Sequence, residues 1–316
     1  MPHTLTASEF HVAKRVLALG EFARAALAAY PAGAILAVFR RSFYVHFGPC
    51  ALCFGPPGLG EGPVNILVPM AEQVEWPQLG LSAQQKVWSS GTVVFLANRI
   101  RFDFSNAHVW KPPRLPRFSF DDLRAGLSLV SSSALRRSPG GLGAALVGLD
   151  RLPDWPVLPS NPLFQTARTP IRQIAEWLLR ALARKGHRPP PSIQSLIGLG
   201  PGLTPSGDDF ICGLLVALNY FGFADAACKI SEAVLPIATR ETNIISCQHL
   251  RCAAGGHASS ALFAALDALL TCRRLEERLD AIDAIGHTSG WDSLAGAALV
   301  CAAVLDSGEL IPRPWR

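Results

Sequence analysis

Residues 198–210 read GLGPGLTPSGDDF, and the apolar run ICGLLVAL follows at once. Four glycines, two prolines, a Thr, a Ser and two adjacent aspartates are compressed into one loop that opens a buried helix. Thr204 before Pro205 fits an N-cap with Pro in the first turn; Ser206 with Asp209 three residues on fits a capping box. Carboxylates in a first turn also favour the helix macrodipole, by about 0.3–1 kcal/mol each. Capping thus accounts for the aspartates, but it leaves Gly198, Gly200, Gly202 and Gly207 explained only by their tolerance of positive φ.

The same residues fit a ligand site. A Gly-rich loop running into a helix start presents several N–H groups to one point, which suits a phosphate or carboxylate. On this reading Gly200, Gly202, Leu203, Thr204, Ser206 and Gly207 bind the ligand, and Asp208 and Asp209 are catalytic candidates. Aspartates repel a bare anion, so three roles remain open. They hold a bridging Mg²⁺, accept from a ligand N–H₂, or point away as caps. Asp208 is expected to be functional and Asp209, at the third helical position from a Ser206 cap, mainly structural.

The pattern recurs. Ser206-Gly-Asp-Asp209-Phe-Ile-Cys-Gly213 is echoed by Ser289-Gly-Trp-Asp292-Ser-Leu-Ala-Gly296, each with a Thr just upstream, Thr204 and Thr288. Shared capping chemistry explains this, and so does a pocket where two helix starts converge, with Ser289, Gly290 and Asp292 lining it. The polar stretch Thr239–Ser246, set in Ala-rich helical sequence, offers Arg240 as a catalytic candidate and Thr242, Asn243 and Ser246 as a third wall. A solvated helix face explains such polarity equally well.

The rest of the chain frames this loop. The first hundred residues hold β-branched and aromatic runs after an initial helical segment: Ala34–Arg40, Phe43–Phe47, Val64–Val68 and Thr92–Phe104. In the last of these Ile100, Phe102 and Phe104 alternate with Arg99, Arg101 and Asp103, which predicts one buried face. A stiff Pro-rich segment, Lys111–Arg117, then suits a domain connection. Beyond it Ile171, Ile174, Ala175, Leu178 and Leu182 share one face of a helix expected to end near Gly186. Further helices are predicted at about 120–135, 206–221, 224–246, 258–271 and 290–306. The expected fold is α+β: a β-rich barrel- or sandwich-like domain over 1–117, then a larger α-helical domain over 118–316.

Composition excludes several classes. The net charge is +5, mostly from dispersed Arg, and no Lys/Arg run exceeds two residues, so no nucleic-acid footprint is present. Small anionic ligands suit that charge better. The start, MPHTLTASEFHVAKRVLALG, lacks a secretory leader pattern, and the apolar run 294–305 has twelve residues where a bilayer needs roughly 20. A soluble, cytoplasmic protein with no membrane partner is expected. Cys50 and Cys53 sit in a strand-like stretch, and Cys247, His249 and Cys252 lack an evident fourth ligand, so neither set predicts a metal site.

GLGPGLTPSGDDFICGLL, the TRETNIIS stretch and GHTSGWDSLAG together resemble the signatures of a bacterial family long described only as a domain of unknown function. That family includes AllH, a subunit of oxamate carbamoyltransferase. The motifs cover mostly residues 195–300, and the N-terminal half matches only in general character. The resemblance implies work with companion subunits to interconvert carbamoyl phosphate plus oxamate with oxalurate plus phosphate, in ureide (allantoin) catabolism. Carbamoyl transfer develops oxyanion charge, which N–H donors at a helix start stabilise. Two other classes stay open. A small-molecule kinase would use the Gly-rich loop with the acidic pair, although no GxxxxGK[ST] loop occurs. A ligand-sensing or scaffolding subunit would bind without turnover.

Overall fold

The computed structural model describes residues 13–70, 75–96, 100–149, 161–182 and 188–308. The expectations placed on the first residues of the chain, on Arg99 and on the helix end at Gly186 lie outside them. The chain divides into two compact units, Met1–Lys111 and Pro112–Arg316, and the fold is α+β, 55% helical and 15% strand.

The first unit is built on one ten-stranded, curled sheet of the half-barrel kind. Its elements are β1 (Lys14–Arg15), β2 (Ala18–Gly20), α1 (Glu21–Ala29), β3 (Ala32–Val38), β4 (Phe43–Phe47), β5 (Cys50–Gly55), β6 (Asn65–Leu67), β7 (Lys86–Ser90), β8 (Val93–Leu96), β9 (Ile100–Asp103) and β10 (His108–Trp110). The spatial order is β1-β9-β8-β7-β3-β4-β5-β6-β2-β10. Antiparallel neighbours run from β9 to β5, whereas β1 with β9, β5 with β6 and β2 with β10 are parallel. Alternation decides the faces: in β4 Phe43, Val45 and Phe47 are buried between half-exposed Tyr44 and His46. Phe43 stacks on Phe54 at 4.9 Å between ring centres and meets Trp76 at 4.8 Å, so aromatic area dominates this core.

One strand expectation needs correction. Thr92–Phe104 is not a single strand but the hairpin β8–β9, in register from Val93 opposite Asp103 to Leu96 opposite Ile100. Alternation persists through both arms, so the pattern did not reveal the turn between them. Ile100 and Phe102 are buried as expected.

The second unit contains α2 (Phe120–Arg137), α3 (Pro162–Leu182), α4 (Ser206–Tyr220), α5 (Ala224–Glu241), α6 (Ile244–Ala254), α7 (Ser260–Thr271), α8 (Leu275–Asp283) and α9 (Ser289–Ser307). In α4 every residue from Ser206 to Leu218 is buried, which is the mark of a helix surrounded by others. It packs most extensively against α9, itself buried almost throughout from Gly290 to Val304. The expected face of α3, Ile171 to Leu182, is buried.

The expected helix over 224–246 is two helices. Thr242 and Asn243 interrupt it, and the Asn243 side chain accepts from the N–H groups of Ile245 and Ser246 as the N-cap of α6. Asn favours this role because its amide oxygen replaces the missing intrahelical acceptor. Helix α8 carries an exposed acidic edge; its Glu276, Asp280 and Asp283 converge on Arg137 of α2. This network holds the Arg137 proton more firmly than usual, chiefly through Glu276.

Candidate functional site

Helix α4 begins at Ser206, directly after Pro205, and no side chain caps it. Neither expected cap therefore holds: Thr204 precedes the helix by two residues, and Ser206 is its first residue. The four loop glycines each have a backbone reason. Gly198, Gly200 and Gly202 sit at φ +71°, +109° and +109°, and a Cβ on Gly207 would stand 1.9 Å from the Leu196 carbonyl oxygen. The Gly207 N–H already donates to the Leu199 carbonyl at 2.9 Å. Glycine spacing is thus explained by the chain's own path.

The two S-G-x-D starts meet. The Thr204 and Ser289 hydroxyls hydrogen-bond at 2.8 Å, and Ser206 lies 3.5 Å from the Thr288 hydroxyl. Each serine faces the threonine of the other start. The closing glycine of each motif repeats the reciprocity: a Cβ on Gly213 would stand 1.8 Å from the Ser293 carbonyl oxygen, and one on Gly296 1.9 Å from that of Phe210. Ser293 and Phe210 hold the same motif position, so α4 and α9 cross through equivalent residues.

Three aspartates lie at this crossing, in different circumstances. Asp208 is fully buried and fully bonded: Oδ1 accepts from the Gly198 N–H at 2.8 Å, and Oδ2 from the Thr242 and Ser246 hydroxyls at 2.5 and 2.7 Å. It ties the loop, α4 and the α5–α6 junction together. Asn243 adds a second tie, donating its amide to the Leu203 carbonyl at 2.7 Å. Asp292 is also fully buried. Its Oδ1 accepts from the Leu142 and Gly143 N–H groups, while Oδ2 has no hydrogen-bond partner. Asp209 is 7% exposed, and its Oδ2 too is buried without a partner.

The hydrogen bonding runs opposite to the expected division of labour. Asp208 is the structural carboxylate, and Asp209 carries unfilled acceptor capacity. Burial pushes the Asp209 carboxyl well above the ordinary carboxylate range; the Ser289 and Thr204 hydroxyls oppose this, and the charges of Asp292 and Asp208 add to it. Burial likewise raises Asp292, to about 6, against the hydroxyls of Ser206 and Thr288 and the Leu142 and Gly143 N–H groups.

That shift has a sign. A carboxyl whose pKa rises from 3.8 unfolded to about 6 folded weakens the fold progressively as pH climbs through that window, and adds nothing below it. At about 1.4 kcal/mol per unit, the ionised Asp292 costs about 3 kcal/mol. Chelator-treated protein is expected to lose stability between pH 4 and 6, read by urea melts. Asp292→Asn should flatten that slope; an unchanged slope in the variant contradicts the assignment.

Among the other sequence-derived candidates, Gly290 sits close against α8, where a Cβ would stand 2.3 Å from the Ile282 carbonyl oxygen. Its N–H donates to the Ile285 carbonyl at 3.2 Å. Arg240 is exposed in the last turn of α5 and bonds none of the three aspartates among the described residues. Sequence reasoning missed the Pro139–Gly143 turn that cradles Asp292. Its Gly-Gly-Leu-Gly composition was the available signal, and a Cβ on Gly141 would stand 2.4 Å from Asp292 Oδ1.

No helix among the described residues is long and apolar enough to cross a membrane. No solved structure matches the chain. The family described as oxamate carbamoyltransferase subunit AllH matches residues 196–301, which span both helix starts, Asp208, Asp209, Asp292 and the Thr242–Ser246 junction. Through this segment of its helical unit, the chain is similar to the AllH-like family of oxamate carbamoyltransferase subunits.

Proposed function

We propose that the chain acts with companion subunits to interconvert carbamoyl phosphate plus oxamate with oxalurate plus phosphate, and that the crossing of α4 and α9 belongs to the reaction site. The supporting observation is the pair of buried carboxylate oxygens, on Asp209 and Asp292, left without partners inside the family-matched segment. A buried acceptor without a partner costs about 1–3 kcal/mol or more, so a fold keeps such atoms where something else meets them.

In the transfer, the oxamate nitrogen bonds to the carbamoyl carbon, the bond from that carbon to phosphate oxygen breaks, and the nitrogen proton leaves to a base. Negative charge gathers on the carbamoyl oxygen and the departing phosphate. Two helix starts aimed at one place, each carrying roughly half a positive charge, oppose that build-up. Ureide breakdown is the setting such a reaction serves.

The test is reconstitution. The full chain combined with its companion subunits, carbamoyl phosphate and oxamate should form oxalurate and phosphate. Asp209→Asn should lower the rate at least about 100-fold, the scale of one lost catalytic group, with the melting temperature kept. Full activity in the variant would leave this chain a non-catalytic scaffold. ATP binding by the isolated chain, with phosphoryl transfer and no oxalurate, would install the kinase reading.

A further inference from the structure

The aspartate cluster lacks positive charge. Asp208 takes three hydrogen bonds, all from neutral donors: the Gly198 N–H and the Thr242 and Ser246 hydroxyls. Asp292 takes two, from backbone N–H groups. Among the described residues no Lys, Arg or His pairs with Asp208, Asp209 or Asp292. When ionised, three carboxylates gathered in the interior of the helical unit have only dipoles to compensate them, which is why burial holds protons on Asp209 and Asp292 while no cation is bound. Dipoles satisfy hydrogen-bonding capacity, but they leave net charge in place, and buried net charge is expensive.

Beyond the backbone N–H groups on Asp292 Oδ1, the side chains that meet the two open carboxylates are hydroxyls. Asp209 is met by the Ser289 and Thr204 hydroxyls, and Asp292 by those of Ser206 and Thr288. The hydroxyls also join across the two starts, Thr204 to Ser289 at 2.8 Å. Carboxylate and hydroxyl oxygens select hard cations, and burial keeps the neighbouring Cys212 thiol protonated rather than a thiolate ligand. No three His, Cys, Asp or Glu side chains among the described residues are placed to cage an ion. Two carboxylates with remaining positions for water and substrate oxygens are the ligand supply Mg²⁺ ordinarily accepts, whereas an all-protein cage is not.

We propose that Asp209 and Asp292 together hold one hard divalent cation of the Mg²⁺ class through the oxygens that now lack partners. The ion supplies the missing charge and leaves coordination positions for an oxygen of the anionic substrate. Its role as substrate bridge rests on the carbamoyl-transfer reading above, whereas the ion site itself does not. A ligand N–H₂ alone would supply hydrogen bonds without charge, which is why the cation is preferred.

The test uses the full chain stripped with chelator and titrated with Mn²⁺, followed by electron paramagnetic resonance, with Mg²⁺ as competitor. One saturable Mn²⁺ per chain, displaced by Mg²⁺, is expected. Asp209→Asn and Asp292→Asn should each weaken binding at least tenfold, while Asp121→Asn, on an exposed side chain of α2, should leave it unchanged. Both Asn variants keep an amide of the same shape, and circular dichroism establishes that they fold. Should either fail to fold, Ser289→Ala is the second variant, with a smaller loss of affinity expected. Absence of saturable binding overturns the proposal, as does binding that both Asn variants retain; a proton held between the carboxyls would then be the compensating charge. Mn²⁺ binding with no oxalurate in the reconstituted assay overturns the functional reading and leaves the ion site standing. Transfer at full rate in chelator leaves the functional reading standing and overturns the ion's role as substrate bridge.

Discussion

Replacing Gly296 by Val should destabilise the helical unit by about 3 kcal/mol or more, an overpacking cost at the upper end of the usual range. The Cβ of any residue there would stand 1.9 Å from the Phe210 carbonyl oxygen, and 2.9 Å from the Leu214 nitrogen. Both obstacles are backbone, so no rotamer relieves them. Helices α4 and α9 must separate along their whole buried length. For a unit of this size the melting temperature should fall by about 6–12 °C. Gly213→Val should behave alike, since its Cβ meets the Ser293 carbonyl oxygen at 1.8 Å. The sign is informative even with Ala, because Gly→Ala in an exposed helix stabilises by about 0.5–1 kcal/mol. Thermal melts that show either Ala variant more stable than the parent contradict the tight crossing.

Asp208→Ala should cost about 3 kcal/mol or more, at about 1–3 kcal/mol for each buried donor left without its acceptor. It strands the Gly198 N–H and the Thr242 and Ser246 hydroxyls together. Asp209→Asn should do the reverse. It replaces a partnerless buried oxygen with a neutral amide, so stability holds or rises while the reaction fails. Urea denaturation of both variants beside the reconstituted assay separates the two aspartates. A stable Asp208→Ala chain without activity, with a destabilised Asp209→Asn, would return the roles to those expected from the sequence.

Why the hydrogen bonding of the two aspartates departs from the capping expectation is a matter of one boundary. Adjacent carboxylates on a helix point about 100° apart, so placing the helix start decides which one faces the neighbouring helix. A Ser206 cap puts Asp209 at the third position; an uncapped start at Ser206 gives that position to Asp208. Periodicity was sound where the pattern is long, as along α3, where Ile171 to Leu182 are buried. It failed at short breaks, between β8 and β9 and at the Thr242–Asn243 junction. The repeated S-G-x-D motif was legible as a pattern, and its meeting across α4 and α9 follows from the glycines that close each copy. The Pro139–Gly143 turn was not, because its tie to Asp292 spans about 150 residues of chain.

The hydrogen bonds of Asp208 lead to one last point about the loop at 198–205. Asp208 fastens its first residue and Asn243 fastens Leu203, while Gly198, Gly200 and Gly202 hold turns that other residues enter only with strain. A strand of chain pinned this way is a poor lid. It has its bound shape before a ligand arrives, so little ordering entropy is lost on binding. The carboxylates behind it are already shut away from water, Asp208 and Asp292 fully and Asp209 to 7% exposure. Leu203 and Ile244, exposed at 38% and 43% beside it, leave apolar side chains in water next to a loop that does not move to cover them.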